Sequence, residues 1–173
     1  MNPCPCGYYG EGDRCRCTDH QRGLFLNKVI SHPMIDHVDI QAWMHPLTEA
    51  AGSGQAAERE TSARVAERVA KAREIQKKRY SGTGIKLNAD LRSKDIDTYC
   101  KLPEESKELL VKLMERLSLS VRTYTHIIKI ARTIADLDGQ NEIQPKHLAE
   151  AASYQFLNRS IRVDESTGRR ISG

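Results

Sequence analysis

Aromatic residues are scarce in this sequence, at 5% of 173 residues, so any core must rest on Leu, Ile, Val and Ala. Long apolar runs are missing too. No stretch approaches the roughly 18–20 apolar residues of a membrane span, which argues against a transmembrane protein. The opening Met1-Asn2-Pro3-Cys4-Pro5-Cys6 lacks the basic-then-apolar pattern of a secretory signal, so a cytoplasmic location is the default expectation. No internal repeat is visible. A strong charge of one sign is also absent: the net charge is +4, too mild to establish nucleic-acid binding by itself. What remains, 39% hydrophobic and 29% charged, is the composition of a soluble globular chain with room for one domain, or one domain and an appendage.

The charge surplus is concentrated. Residues 58–80 hold eight cations (Arg59, Arg64, Arg68, Lys71, Arg73, Lys77, Lys78, Arg79) against four Glu, which equals the whole surplus. Such a segment is either a solvated helix face or a surface that tracks phosphates, with Arg64, Arg68, Lys71, Lys77, Lys78 and Arg79 as the candidate contacts. Within it Val65, Val69, Ala72 and Ile75 recur at helical spacing. Ser81-Gly82-Thr83-Gly84 stops the helix.

The rest of the chain divides by composition. Residues 1–22 are dense in Cys, Gly and Pro. Residues 24–47 read as a helix or loop and then a strand, with Val38, Ile40 and Ala42 alternating with Asp39 and Gln41. Residues 48–57 have linker composition, and 58–157 read as almost entirely helical. Ser93 is the expected N-cap of a short helix to Cys100. Pro103, Glu104 and Glu105 suit a first turn, followed by the stripe Leu110, Leu113, Met114 and Leu117. A helix from Ser120 is lined by Tyr124, Ile127, Ile128, Ala131, Ile134 and Ala135, and Asp138-Gly139 breaks it. Leu113, Ile127, Ala131 and Ile134 are expected to be buried together where these two helices meet. Pro145 opens a last helix toward Tyr154, and the polar 158–173 segment reads as a frayed tail.

Four of the five cysteines form two C-x-C pairs, Cys4-Pro5-Cys6 and Cys15-Arg16-Cys17. Four thiolates suit tetrahedral zinc, although C-x2-C is the commoner spacing. The alternative is a reduced Cys-rich hairpin without metal. A zinc held by four thiolates is structural, because no position stays open for water. Cys100, alone on a helix, reads as a small buried hydrophobe.

The run Met1-Asn2-Pro3-Cys4-Pro5-Cys6-Gly7-Tyr8-Tyr9-Gly10 with Cys15-Arg16-Cys17 resembles the middle of magnesium-chelatase-like AAA+ ATPases. That family includes the competence-associated branch-migration motor of bacteria. The resemblance continues collinearly through Leu26-Asn27-Lys28, 36–40, Val69–Gln76, Asn88-Ala89, Tyr99-Cys100, Met114–Arg122, Ile130–Leu137 and His147–Ala152. It implies a mainly α chain: the C-terminal helical lid bundle of an AAA+ module, preceded by a Cys-rich loop and a remnant of the α/β core. The implied parts are core remnant 1–47, linker 48–57, lid 58–157 and tail 158–173. The resemblance further implies ATP and magnesium as ligands of an intact parent protein, a homo-oligomeric ring, and DNA as a candidate partner. Asn2 falls where the family has sensor 1, which positions the attacking water. Arg122, in Leu119-Ser120-Val121-Arg122, falls at sensor 2. A guanidinium there can bond a phosphate through two nitrogens.

Two departures stand out. At the family's arginine-finger position the chain has His37, and an imidazole lacks the guanidinium fork. No G-x-x-x-x-G-K-[ST] motif occurs in the sequence. The family places that motif and the magnesium-holding acids upstream of Asn2, so these residues are expected not to hydrolyse ATP on their own. Two other readings use the same features: a zinc knuckle with a basic helical nucleic-acid-binding module, and a helical adaptor that joins an AAA+ ring without hydrolysis.

Overall fold

The computed structural model describes residues 2, 4–10, 12–29, 38–42, 44, 60–117 and 120–155. The expected linker 48–57, the 158–173 tail, Arg59 and His37 lie outside these residues. The chain forms two compact units, Met1–Gln41 with Gln155–Gly173, and Ala42–Tyr154.

In the first unit a Cys-rich loop leads into helix α1, Asp19–Val29. Thr18 starts it with a reciprocal cap: its Oγ1 accepts the Gln21 N–H at 3.2 Å, and Gln21 Oε1 accepts the Thr18 N–H at 3.1 Å. The Arg22 guanidinium lies over the Tyr9 ring, 3.9 Å from its centroid, and so ties α1 to the loop. The strand expected at 38–42 does not form. Val38 and Ile40 are exposed and Gln41 is buried, the reverse of the expected alternation. The described residues contain no strand to pair with it, and unpaired backbone does not hold an extended ladder. The segment is held through a backbone carbonyl instead, with Gln155 Nε2 donating to Asp39 O at 2.8 Å.

The second unit is a helical bundle: α2 Ser62–Arg79, α3 Ser93–Tyr99, α4 Glu104–Leu117, α5 Val121–Leu137 and α6 Pro145–Ser153. A single 3-10 turn, Asn88–Asp90, lies between α2 and α3. Helix α5 is the hub, packing against α6, α2, α3 and the 3-10 turn. Ser120 caps its start, its Oγ accepting the Thr123 N–H at 3.2 Å. Its end is a Schellman turn. Gly139 takes φ +68°, while Gln140 N–H reaches Ala135 O at 2.8 Å and Gly139 N–H reaches Asp136 O at 3.2 Å. Ile127, Ile128, Ala131, Leu110, Ile143, Leu148 and Cys100 make one buried cluster. Burial in that cluster pushes the Cys100 thiol up to about 11.

Several expected details shift. The short helix α3 is capped by Arg92 rather than Ser93, and Asp95 closes the turn by accepting the Arg92 N–H at 3.0 Å. Pro103 stands one residue before α4 and supplies the carbonyl that starts it. Helix α4 packs more on α6 than on α5. Its buried positions are therefore Ser106 and Leu110, while Leu113 and Ile134 are only half-buried and Leu113 lies outside the core cluster. On α2, Val65 and Val69 are exposed, because only the C-terminal turns reach α5. Ala72 and Gln76 are its buried residues, Gln76 Oε1 accepts the Asn88 N–H at 3.2 Å, and Arg79 makes the contact to Asp136 of α5. Among the described residues no helix is long and apolar enough to cross a membrane.

Candidate metal centre and candidate phosphate contacts

The Cys-rich loop turns back on itself through Gly7, Gly10 and Gly12, all at positive φ (83°, 88° and 53°). The Gly7 N–H bonds to Cys4 O at 3.1 Å and the Cys15 N–H to Gly12 O at 3.3 Å, closing one tight turn at each C-x-C pair. The result brings all four Sγ atoms within 4.8 Å of one another. Cys4–Cys6 is 3.4 Å, Cys6–Cys15 is 3.7 Å and Cys4–Cys15 is 3.9 Å. A tetrahedron with metal–sulfur bonds of about 2.3 Å has sulfur–sulfur edges of about 3.8 Å. Cys4, Cys6 and Cys15 therefore sit close to the spacing that zinc coordination requires, with the Cys17 sulfur within 4.8 Å of each.

Electrostatics at Cys6, Cys15 and Cys17 point the same way. A backbone hydrogen bond from Tyr8, and then the Cys17 thiol, hold Cys6 down at about 6. At Cys17 a Cys6 backbone hydrogen bond favours the thiolate. The Cys6 and Cys4 sulfurs and desolvation outweigh it, so the thiol is pushed up to about 11. Cys15 is raised by a similar balance. One thiolate thus discourages the next, a conflict that a dication at the centre would remove. Because all four donors are thiols, the site fits a closed structural ion and offers no position for substrate.

The other sequence-derived candidates are separate. Asn2 is exposed and lies beside the first Cys turn, where a side chain at Gly7 would meet its amide at 3.6 Å. Arg122 is exposed in the first turn of α5. On α2, Arg64, Arg68, Lys71, Lys77 and Lys78 are exposed. Arg68 pairs with Glu60 at 2.9 Å, Lys71 with Glu67 at 2.7 Å and Lys77 with Glu74 at 4.0 Å.

Arg79 differs from its neighbours. It turns inward to the carboxylate of Asp136, which is fully buried, through Nη2–Oδ1 and through Nη1–Oδ2 at 2.9 Å. Arg132 reaches the same carboxylate through Nε at 3.2 Å and donates to the carbonyls of Asn141 and Gln140 at 2.7 and 2.6 Å. Asn88 donates to Asp136 Oδ2 at 2.9 Å and to Thr133 Oγ1 at 3.0 Å, and its Oδ1 accepts the Tyr80 hydroxyl at 2.6 Å. The Asp136 hydrogen bond raises the Arg79 pKa, whereas desolvation lowers that of the deeper Arg132. Sequence reasoning missed this junction. Its signal was the charged pair Arg132 and Asp136, four residues apart among the inward-facing Ile128, Ala131 and Ala135 of α5.

Comparison with known proteins matches residues 59–155 to the model for the C-terminal part of magnesium chelatase subunit ChlI, and residues 1–51 to the model for magnesium chelatase subunit ChlI. The competence protein ComM of Haemophilus influenzae is 40% identical over 94% of this chain and 31% of its own length. The uncharacterized protein YifB of Escherichia coli is 39% identical over 93% of this chain, again 31% of its own length. A Mycobacterium bovis protein, Mb2921c, is 30% identical over 89% of the chain and 30% of its own length. The chain thus spans about a third of the length of these curated relatives.

Proposed function

The chain belongs to the magnesium chelatase ChlI family, and on that premise we propose that it forms the lid and sensor portion of an AAA+ ATPase that remodels DNA. The observation that carries this reading is the setting of Arg122. The residue is exposed in the first turn of α5, and that helix is the hub on which the bundle packs. A cation on the end of a rigid element moves with the whole element. Contact with a nucleotide phosphate at that point would therefore reposition the bundle, and loss of the phosphate would release it. Asn2 takes the sensor 1 role beside the Cys-rich turn, and a ring of subunits completes the working unit. His37, at the finger position, has no fork with which to clamp a neighbouring subunit's nucleotide. Cys4, Cys6, Cys15 and Cys17 hold a structural zinc that staples the loop carrying Asn2. When bound, the ion supplies folding energy and no catalytic step.

Tight binding of ATP requires P-loop amides, the P-loop lysine and magnesium. None of these motifs occurs in the 173 residues. Calorimetry on the chain alone is expected to detect no micromolar ATP binding. Joined behind a magnesium-chelatase-type P-loop core, the same residues should support phosphate release, and Arg122→Ala should slow it by roughly 10- to 100-fold. Undiminished turnover in that variant would remove Arg122 from the mechanism.

A further inference from the structure

Helix α2 stands out of the second unit: every residue from Ser62 to Lys71 is exposed, and burial begins only at Ala72. Its charges are ordered. At ~100° per residue, Arg64, Arg68, Lys71 and Lys78 fall within about 80° of one another, and the stripe runs ~21 Å along the axis. The buried side, marked by Ala72, Gln76 and Arg79, lies about a quarter-turn away. Glu67 and Glu74 border the stripe on its other edge, while Arg73 and Lys77 point to the far side of the helix. Two of the four are paired in the free protein, Arg68 with Glu60 and Lys71 with Glu67. Both pairs are exposed, and exposed ion pairs are weak enough for a polyphosphate to displace them.

We infer that this stripe is a docking surface for the phosphate backbone of duplex DNA. A single strand is gripped by stacking its bases on aromatic side chains. Residues 62–79 contain no aromatic residue, and Tyr80 just beyond them is buried. A straight row of cations on a rigid helix matches a stiff backbone instead. The contact carries no base readout, so it is independent of sequence and governed by salt. This deepens the reading above, resting on DNA as the remodelled substrate, and names the surface that touches it.

The test uses the whole chain without nucleotide, a short fluorescein-labelled duplex, and anisotropy over a salt series. Four phosphate contacts predict that log K falls against log salt with a slope of about −3.6. Arg64→Gln with Arg68→Gln should make that slope shallower by about 2 and weaken binding equally for unrelated sequences. Lys107→Gln with Lys112→Gln, on α4, should leave the slope unchanged. Circular dichroism of the α2 variant confirms that exposed substitutions leave the fold intact. Absence of binding at low salt, an unchanged slope in the α2 variant, or a preference for the single strand would each overturn the assignment. The Arg122 experiment reads phosphate release and this one reads DNA binding, so the two proposals fail separately.

Discussion

Asp136 is a residue on which three elements of the second unit converge. Its carboxylate is fully buried and accepts hydrogen bonds from Arg79, Arg132 and Asn88, which lie on α2, α5 and the 3-10 turn. Two guanidiniums and an amide around one carboxylate satisfy each other only as a set. Asp136→Ala would leave Arg132, whose side chain is 1% exposed, without its counter-charge. The expected cost is about 3–5 kcal/mol, measured as the shift in the urea midpoint of the chain. Arg79→Ala should cost less, because that side chain is 16% exposed and water can replace part of what is lost. Equal and small effects of the two substitutions would show that the junction contributes little to stability. Two of the segments that meet here, Asn88-Ala89 and Ile130–Leu137, are among those that carry the family resemblance, while Arg79 lies just past Val69–Gln76.

At the scale of elements, the helices announced themselves through spacing and caps, while their partners did not. Ser120 and Asp138-Gly139 bound α5 as their chemistry predicts, and Gly82, at φ +77°, follows α2 within the expected Ser-Gly-Thr-Gly stop. Helix α1 was read only as a helix or loop from residue 24, because Leu26 is the one buried side chain among its described residues and gives it no apolar stripe; its start at Thr18 and Gln21 was missed. Which face of α4 is buried depended on the helix that covers it, and α6 takes that place. Leu110 is 1% exposed. Leu110→Ala should therefore cost on the order of 2–5 kcal/mol in thermal or denaturant unfolding. Leu113→Ala, at a half-buried site outside the main cluster, should cost clearly less. The reverse order would mean that α4 is rotated about its axis from the position described here.

For the whole molecule, the two units depend on different physics. The bundle has an apolar cluster of its own, built from four helices and the segments between them. The described part of the first unit buries only Cys4 and Leu26 among its hydrophobic residues. So little apolar burial does not sustain a small fold, and a metal staple supplies the missing energy in such cases. Protein purified without chelator should carry about one equivalent of zinc. Cys15→Ser with Cys17→Ser should abolish it and leave the cooperative unfolding of the bundle in place. Metal analysis with a free-thiol count decides the point: metal-free protein with four freely titrating thiols in this loop would refute the zinc site.

The sequence alone determined the helical class, the C-terminal end of α2, both ends of α5, the helix opened by Pro145, and the grouping of four cysteines into pairs close enough to converge. These follow from short-range chemistry, in which side-chain period, caps and glycine turns act over a few residues. Tertiary structure decided which faces are buried, that residues 38–42 form no strand, and that Arg79 belongs to Asp136 rather than to the basic surface. Each of these depends on groups far apart in the chain, 57 residues in the case of Arg79 and Asp136. No local pattern encodes which distant carboxylate a guanidinium will meet, because that choice is made only when packing brings α2 against α5.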